Sequence, residues 1–136
     1  MKRTVSTALF LSLLSAGTPC AGQDSFSLLP LLQGEDCEVR ETAVSQSMRG
    51  LPGVRRGPWK LIFGKGSGGW SPGEDDYPAQ LYQLDEDLAE IRNLYADRPE
   101  VVAQLNELFR RLVEEGRSTP GSSQANDVPV RWKAVR

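Results

Sequence analysis

The residues from Leu51 to Leu94 restrict what this chain can fold into more than any other part of it. Gly50 to Gly53 mark a turn, and Val54-Arg55-Arg56 follow as a short strand before Gly57-Pro58. Trp59 to Phe63 is aromatic, apolar and β-branched, and Gly64 ends it, which is the pattern of a strand half-buried against a core. Gly64 to Pro78 is rich in glycine and carries Pro72 and Pro78, so it reads as a long loop. Gln80 to Leu84 returns as the next antiparallel strand, with Leu81 and Tyr82 on opposite faces. Upstream, Val39 to Ser47 alternates loosely, with Val39, Thr42 and Val44 among polar residues, and suits a first strand.

The period then changes. Leu84, Leu88, Ile91 and Tyr95 fall at helical spacing, so a turn or two of helix is expected between Asp87 and Tyr95. The clear helix runs from Arg98 to Glu115. Asp97 is placed as its N-cap, Pro99 sits in the first turn, and Glu100 completes a capping-box arrangement. Val101, Val102, Leu105, Leu108, Phe109, Leu112 and Val113 make one apolar stripe, and Gly116 ends it. Glu107 with Arg111 and Arg110 with Glu114 are expected as exposed pairs four residues apart. Residues 117–136 read as a loop and tail, and residues 23–38 as a connector. In the connector, Leu28-Leu29 and Leu31-Leu32 around Pro30 can pack one short apolar turn against a neighbour. The expected fold is α+β: a small antiparallel β-sheet of three to four strands packed by one C-terminal amphipathic helix.

At 136 residues the chain has room for one small domain, and its net charge of −2 argues against nucleic acid as a general partner. There is no histidine, so acid–base chemistry near neutral pH would need a shifted carboxylate, lysine or cysteine. Residues 1–22 have the form of a secretory signal: Lys2 and Arg3, then an apolar run from Val5 to Ala16, then small residues through Gly22. The run is shorter than the roughly 20 residues that cross a bilayer. A soluble product, secreted or periplasmic, is therefore expected; a lipid anchor on Cys20 and a start inside a longer gene are the alternatives. Cleavage near Gly22 would leave Cys37 as the remaining thiol.

Three clusters invite a chemical reading. Gly64-Lys65-Gly66-Ser67-Gly68-Gly69 fits G-x-G-x-x-G after a strand, but a phosphate cradle needs a helix to open at the last glycine, and Trp70-Ser71-Pro72-Gly73 cannot open one. A hairpin connection is the expectation. Glu74-Asp75-Asp76 and Asp85-Glu86-Asp87 lack the ligand spacing of a calcium loop and read as solvated charge, so no metal site is expected. Arg49, Arg55, Arg56, Lys60 and Lys65 form a basic cluster that alternation could gather on one sheet face, as a site for an anionic ligand. The simpler reading is a solvated strand face with Trp59, Leu61 and Phe63 turned inward.

Gly57, Trp59, Lys60 and Leu61, followed by Leu81, Tyr82, Leu84, Asp87, Glu90, Asn93 and Leu94, resemble the C-terminal subdomain of the arylsulfatase family. That family shows Gly-x-Trp-Lys-Leu, a Gly/Ser hairpin, then Leu-Tyr-Asp-Leu-x-x-Asp-Pro-x-Glu-x-x-Asn-Leu. Gln83 and Leu88 depart from the family's Asp and Pro. The resemblance extends upstream to Ser27–Leu32 and downstream into the helix, and it marks residues 39–116 as the subdomain.

The resemblance implies a piece of a sulfuric ester hydrolase whose catalytic part precedes this segment. The family turns the Cys or Ser of a Cys/Ser-x-Pro-x-Arg motif into formylglycine and binds calcium through acidic residues near its N-terminus. Cys20 and Cys37 both lack the proline two residues on, so no catalytic residue and no cofactor are expected in this chain, and Cys37 reads as partly buried or as an unpaired thiol. Gln46 stands near the position where the family usually places a histidine. Arg55, Lys60 and Lys65 are the candidates for contact with a sulfated ligand, Lys65 because such hairpin loops can edge the family's substrate cleft. The leading expectation is a truncated or mis-started arylsulfatase, inactive alone, whose partner is a sulfatase catalytic domain or a second copy met through an exposed apolar face. The rival is a free-standing secreted binding module for anionic, sulfated glycans.

Overall fold

A computed structural model describes residues 25–73 and 76–135. The signal segment with Cys20, and Glu74 and Asp75 of the first acidic run, lie outside the described residues. The elements are α1 (Leu29–Leu32), β1 (Thr42–Gln46), β2 (Pro52–Arg56), β3 (Trp59–Ile62), β4 (Gln80–Gln83) and α2 (Pro99–Glu115). The strands form one antiparallel meander in the order β1-β2-β3-β4, with α2 packed on β2 and β3. This is the α+β arrangement read from the sequence. Among the described residues no helix is long and apolar enough to cross a membrane.

The register explains which side chains form the core. Val44, Val54, Leu61 and Leu81 lie in one row across the four strands, on the face that meets α2. Val54, Leu61 and Leu81 are fully buried there, and Val102, Leu105, Leu108 and Phe109 of α2 close over them. Phe63 extends the same face, its ring 4.6 Å from that of Phe109. Trp59, Leu61 and Phe63 thus turn inward as the alternation required. The β2–β3 hairpin is closed by Gly57 at φ 54°, a left-handed conformation that costs glycine nothing, and Pro58.

The described part of the C-terminal tail is irregular, yet it is not idle. Trp132 stands edge-on to Phe63 and Phe109, at 5.4 and 5.0 Å between ring centres, and Val135 is buried with its N–H donated to Asn106 Oδ1. The segment runs back over α2 and completes the core.

Two local expectations need correction. No helix forms between Asp87 and Tyr95; the chain there is a series of turns, and Leu88 and Ile91 are 83% and 85% exposed. The Asp87 carboxylate instead accepts the backbone N–H groups of Ile91 and Arg92, an alternative to helix that aspartate side chains offer. Asp97 is also not the N-cap of α2. Arg98 holds that position, without a side-chain cap, because the residue before Pro99 is driven out of helical geometry, and Asp97 pairs with Arg92 at 3.0 Å. At the other end Gly116 caps in the left-handed conformation, as read. Arg110 bridges both Glu107 and Glu114, so Glu107 finds its partner three residues on rather than four.

Candidate functional site

The sheet face turned away from α2 gathers the chemistry. Register places Ala43, Arg55, Lys60 and Tyr82 in one row, and Ser45, Gly53, Ile62 and Gln80 in the next. Two like charges thus sit directly across from each other, an arrangement that costs energy unless both are engaged elsewhere. They are. Arg55 Nε donates to its own hairpin at Gly57 O, 2.8 Å away, and Lys60 Nζ meets Glu90 Oε1 at 2.6 Å. The Lys60 and Glu90 side chains are only 27% and 28% exposed, so this pair is partly desolvated. Glu90 sits at φ 55°, the only positive φ at a non-glycine residue among those described.

A groove of about 280 Å³ opens beside this pair, lined by Ser45, Gln46, Lys60, Ile62, Ser67 and Glu90. Its roof is the glycine-rich loop, which is fastened rather than loose. Ser67 Oγ accepts the N–H groups of Trp70 and Ser71, Ser47 Oγ donates to Gly68 O, and Gln80 Nε2 donates to both Gly64 O and Gly66 O. Gly66 is obligatory: it sits at φ 65°, and a Cβ there would lie 2.0 Å from Ser71 O. No helix follows the loop, in agreement with its reading as a hairpin connection rather than a phosphate cradle.

The basic cluster does not assemble on one face. Arg55 and Lys60 share the face away from α2, whereas Arg56 points to the other side and pairs with Glu41 at 2.8 Å. Lys65 lies in the glycine-rich loop, 3.6 Å from Asp76, and is not among the residues that line the groove. Arg49 is exposed at the β1–β2 turn, with its N–H on Gly68 O.

Metal and cofactor residues are also not brought together. Among the described residues, no group of three or more Asp, Glu, Cys or His converges to hold a metal. Asp87, in the second acidic run, already uses both carboxylate oxygens on backbone N–H groups, which hold its carboxyl below the usual carboxylate range. Cys37 is exposed in the connector, so it is an unpaired thiol and not the partly buried residue also considered. With Val39 two residues on, it does not fit the formylglycine motif. Among the described residues, then, no side chains are placed to fit calcium, and Cys37 does not fit formylglycine.

The structural centre of this region is Asn93 with Leu94, which the sequence singled out through the resemblance and not through periodicity. Asn93 Oδ1 accepts the N–H groups of Leu81 and Tyr95, both at 3.0 Å, and Asn93 Nδ2 donates to Ala79 O at 3.2 Å. Leu94 N adds a bond to Leu81 O at 2.8 Å. Asn93 and Leu94 thereby close the outer edge of β4.

Comparison with known proteins gives this arrangement a context. No family model matches the chain. Over 95 residues, however, it is 35% identical to an N-acetylgalactosamine-6-O-sulfatase from Bacteroides thetaiotaomicron, a match covering 65% of this chain and 18% of that protein. This chain is sulfatase-like. A solved structure agrees, reported with the metabolism of multiple glycosaminoglycans by Bacteroides thetaiotaomicron through a versatile core genetic locus. It superposes with a TM-score of 0.52 at 30% identity, covering 62% of this chain and 18% of that one. The sulfatase-like chain thus spans under a fifth of each relative, consistent with a sulfatase C-terminal subdomain. Lys60, Glu90 and Asn93, which carry the resemblance in sequence, are the residues that here pair across the sheet face and close the sheet edge.

Proposed function

We propose that this chain serves as the C-terminal subdomain of a sulfuric ester hydrolase, a scaffold that leans on a catalytic domain and does not hydrolyse sulfate esters by itself. The match to the N-acetylgalactosamine-6-O-sulfatase carries this reading. It is supported by the exposed leucines of α1, an apolar surface suited to a neighbouring domain, and by a sequence with no histidine and no Cys/Ser-x-Pro-x-Arg motif. Calcium and formylglycine belong, in this reading, to the catalytic domain. Arg55 and Lys60 on the sheet face, with Lys65 in the loop, are the side chains offered to a sulfated substrate of that assembly. Export to a secreted or periplasmic location after loss of residues 1–22 is part of the same proposal. A free-standing module for sulfated glycans has less support, since it would leave the exposed leucines of α1 without a neighbour to cover them.

The test is direct. The purified chain, supplied with calcium and a formylglycine-generating enzyme, is expected to show no turnover of an aryl sulfate ester above background. Turnover that disappears on Cys37→Ala would place a nucleophile in this chain and overturn the reading.

A further inference from the structure

The two edges of the sheet are treated differently. On β4 the outward groups of Leu81 are taken by Asn93 and Leu94, and Gln83 O accepts the N–H groups of Glu86 and Asp87. The outer edge of β1 has no such cover among the described residues. Ser47 N bonds to Leu51 O and Gly57 N to Glu41 O, so odd-numbered residues of β1 face β2. Antiparallel pairing alternates, and this leaves the backbone N–H and C=O groups of Thr42, Val44 and Gln46 pointing outward. Natural edges are usually guarded by charge, proline or a bulge. Thr42-Ala43-Val44-Ser45-Gln46 carries none of these.

We propose that this edge is a homotypic interface: β1 pairs antiparallel with β1 of a second copy about a two-fold axis at Val44, joining two four-stranded sheets into one. The strand is suited to its own copy because its residues are nearly symmetric about Val44. Polar Thr42 lies across from polar Gln46 of the second copy, and small Ala43 across from small Ser45, with no like charges opposed. Val44 belongs to the core row yet is 42% exposed, and the pairing sets it against its counterpart. Beside it, an apolar groove of about 260 Å³ lies between Val44, Phe109, Leu112, Val113 and Val130. Around the two-fold, the grooves of both copies run into each other on the α2 side, extending the apolar contact beyond the backbone bonds.

Sedimentation velocity on the full chain tests this, in a background carrying Leu29→Ser and Leu32→Ser so that the apolar connector contributes no association. The background protein is expected to be a reversible dimer. Val44→Pro removes an N–H that points away from β2, which an edge strand tolerates, so the variant should keep its circular dichroism and raise the dimer dissociation constant by more than about tenfold. If the proline variant does not fold, Val44→Lys replaces it, setting two ammonium groups face to face on the axis with the same expected loss. A monomeric background protein, open-ended oligomers, or a dimer that survives both substitutions would overturn the proposal.

Discussion

Asn93→Leu should be among the most damaging single substitutions in the chain. It removes the acceptor for the Leu81 and Tyr95 N–H groups and the donor to Ala79 O, while Leu81 and Ala79 are fully buried. A buried backbone group left without a partner costs about 1–3 kcal/mol. With three such groups, of which Tyr95 N lies nearer the surface, the expected loss is about 3–5 kcal/mol. That is a large share of the roughly 5–15 kcal/mol that holds a small domain together. Each kcal/mol moves the melting point of a domain this size by about 4–8 °C, so thermal denaturation should show a fall of at least about 12 °C. A variant melting within a few degrees of the wild type would mean that β4 does not depend on this side chain for its edge.

Trp132→Ala carries the next largest expected effect, and it tests whether the C-terminal segment is part of the core. The indole meets two rings, Phe63 and Phe109, edge-on, and its segment is pinned by Val135 N on Asn106 Oδ1. Truncating a well-packed aromatic costs about 3–5 kcal/mol. Trp132 is only partly buried, so about 2–3 kcal/mol is expected here, read as a lower denaturant midpoint with an unchanged slope. If the midpoint does not move, residues beyond Gly116 are a tail in the energetic sense as well.

These two side chains also show where the sequence stopped being informative. The strands and α2 were legible because each buries one face, which writes a period of two or 3.6 into the residues. Trp132 and Val135 sit in irregular chain and leave no period to read. Between Asp87 and Tyr95 the period was misleading. Leu84, Leu88, Ile91 and Tyr95 have helical spacing, but Leu88 and Ile91 face solvent because Asp87 and Asn93 spend their side chains on backbone groups. The better signal was the Asp and Asn themselves, residues that compete with helices in this way. The Lys60–Glu90 pair joins positions 30 residues apart, and its glutamate sits in the left-handed region; no local pattern encodes either feature.

The same physics bears on the proposed role as a scaffold. An α-helix covers one face of the sheet, and the connector is left over: Leu28, Leu29, Leu31 and Leu32 are all exposed, Leu32 at 82%. Four adjacent apolar side chains in water are unfavourable and find cover in a neighbour. In the proposed assembly that neighbour is the catalytic domain.

Binding of the hydrophobic dye ANS to the full chain measures that surface most directly. On the scaffold reading the wild type gives strong dye fluorescence, and the variant carrying both Leu29→Ser and Leu32→Ser shows a clear loss. The far-ultraviolet circular dichroism of α2 should be the same in both proteins. A wild-type chain with a sharp thermal transition and no dye binding would contradict it, and the chain would then be better described as a self-sufficient module than as a subdomain awaiting its partner.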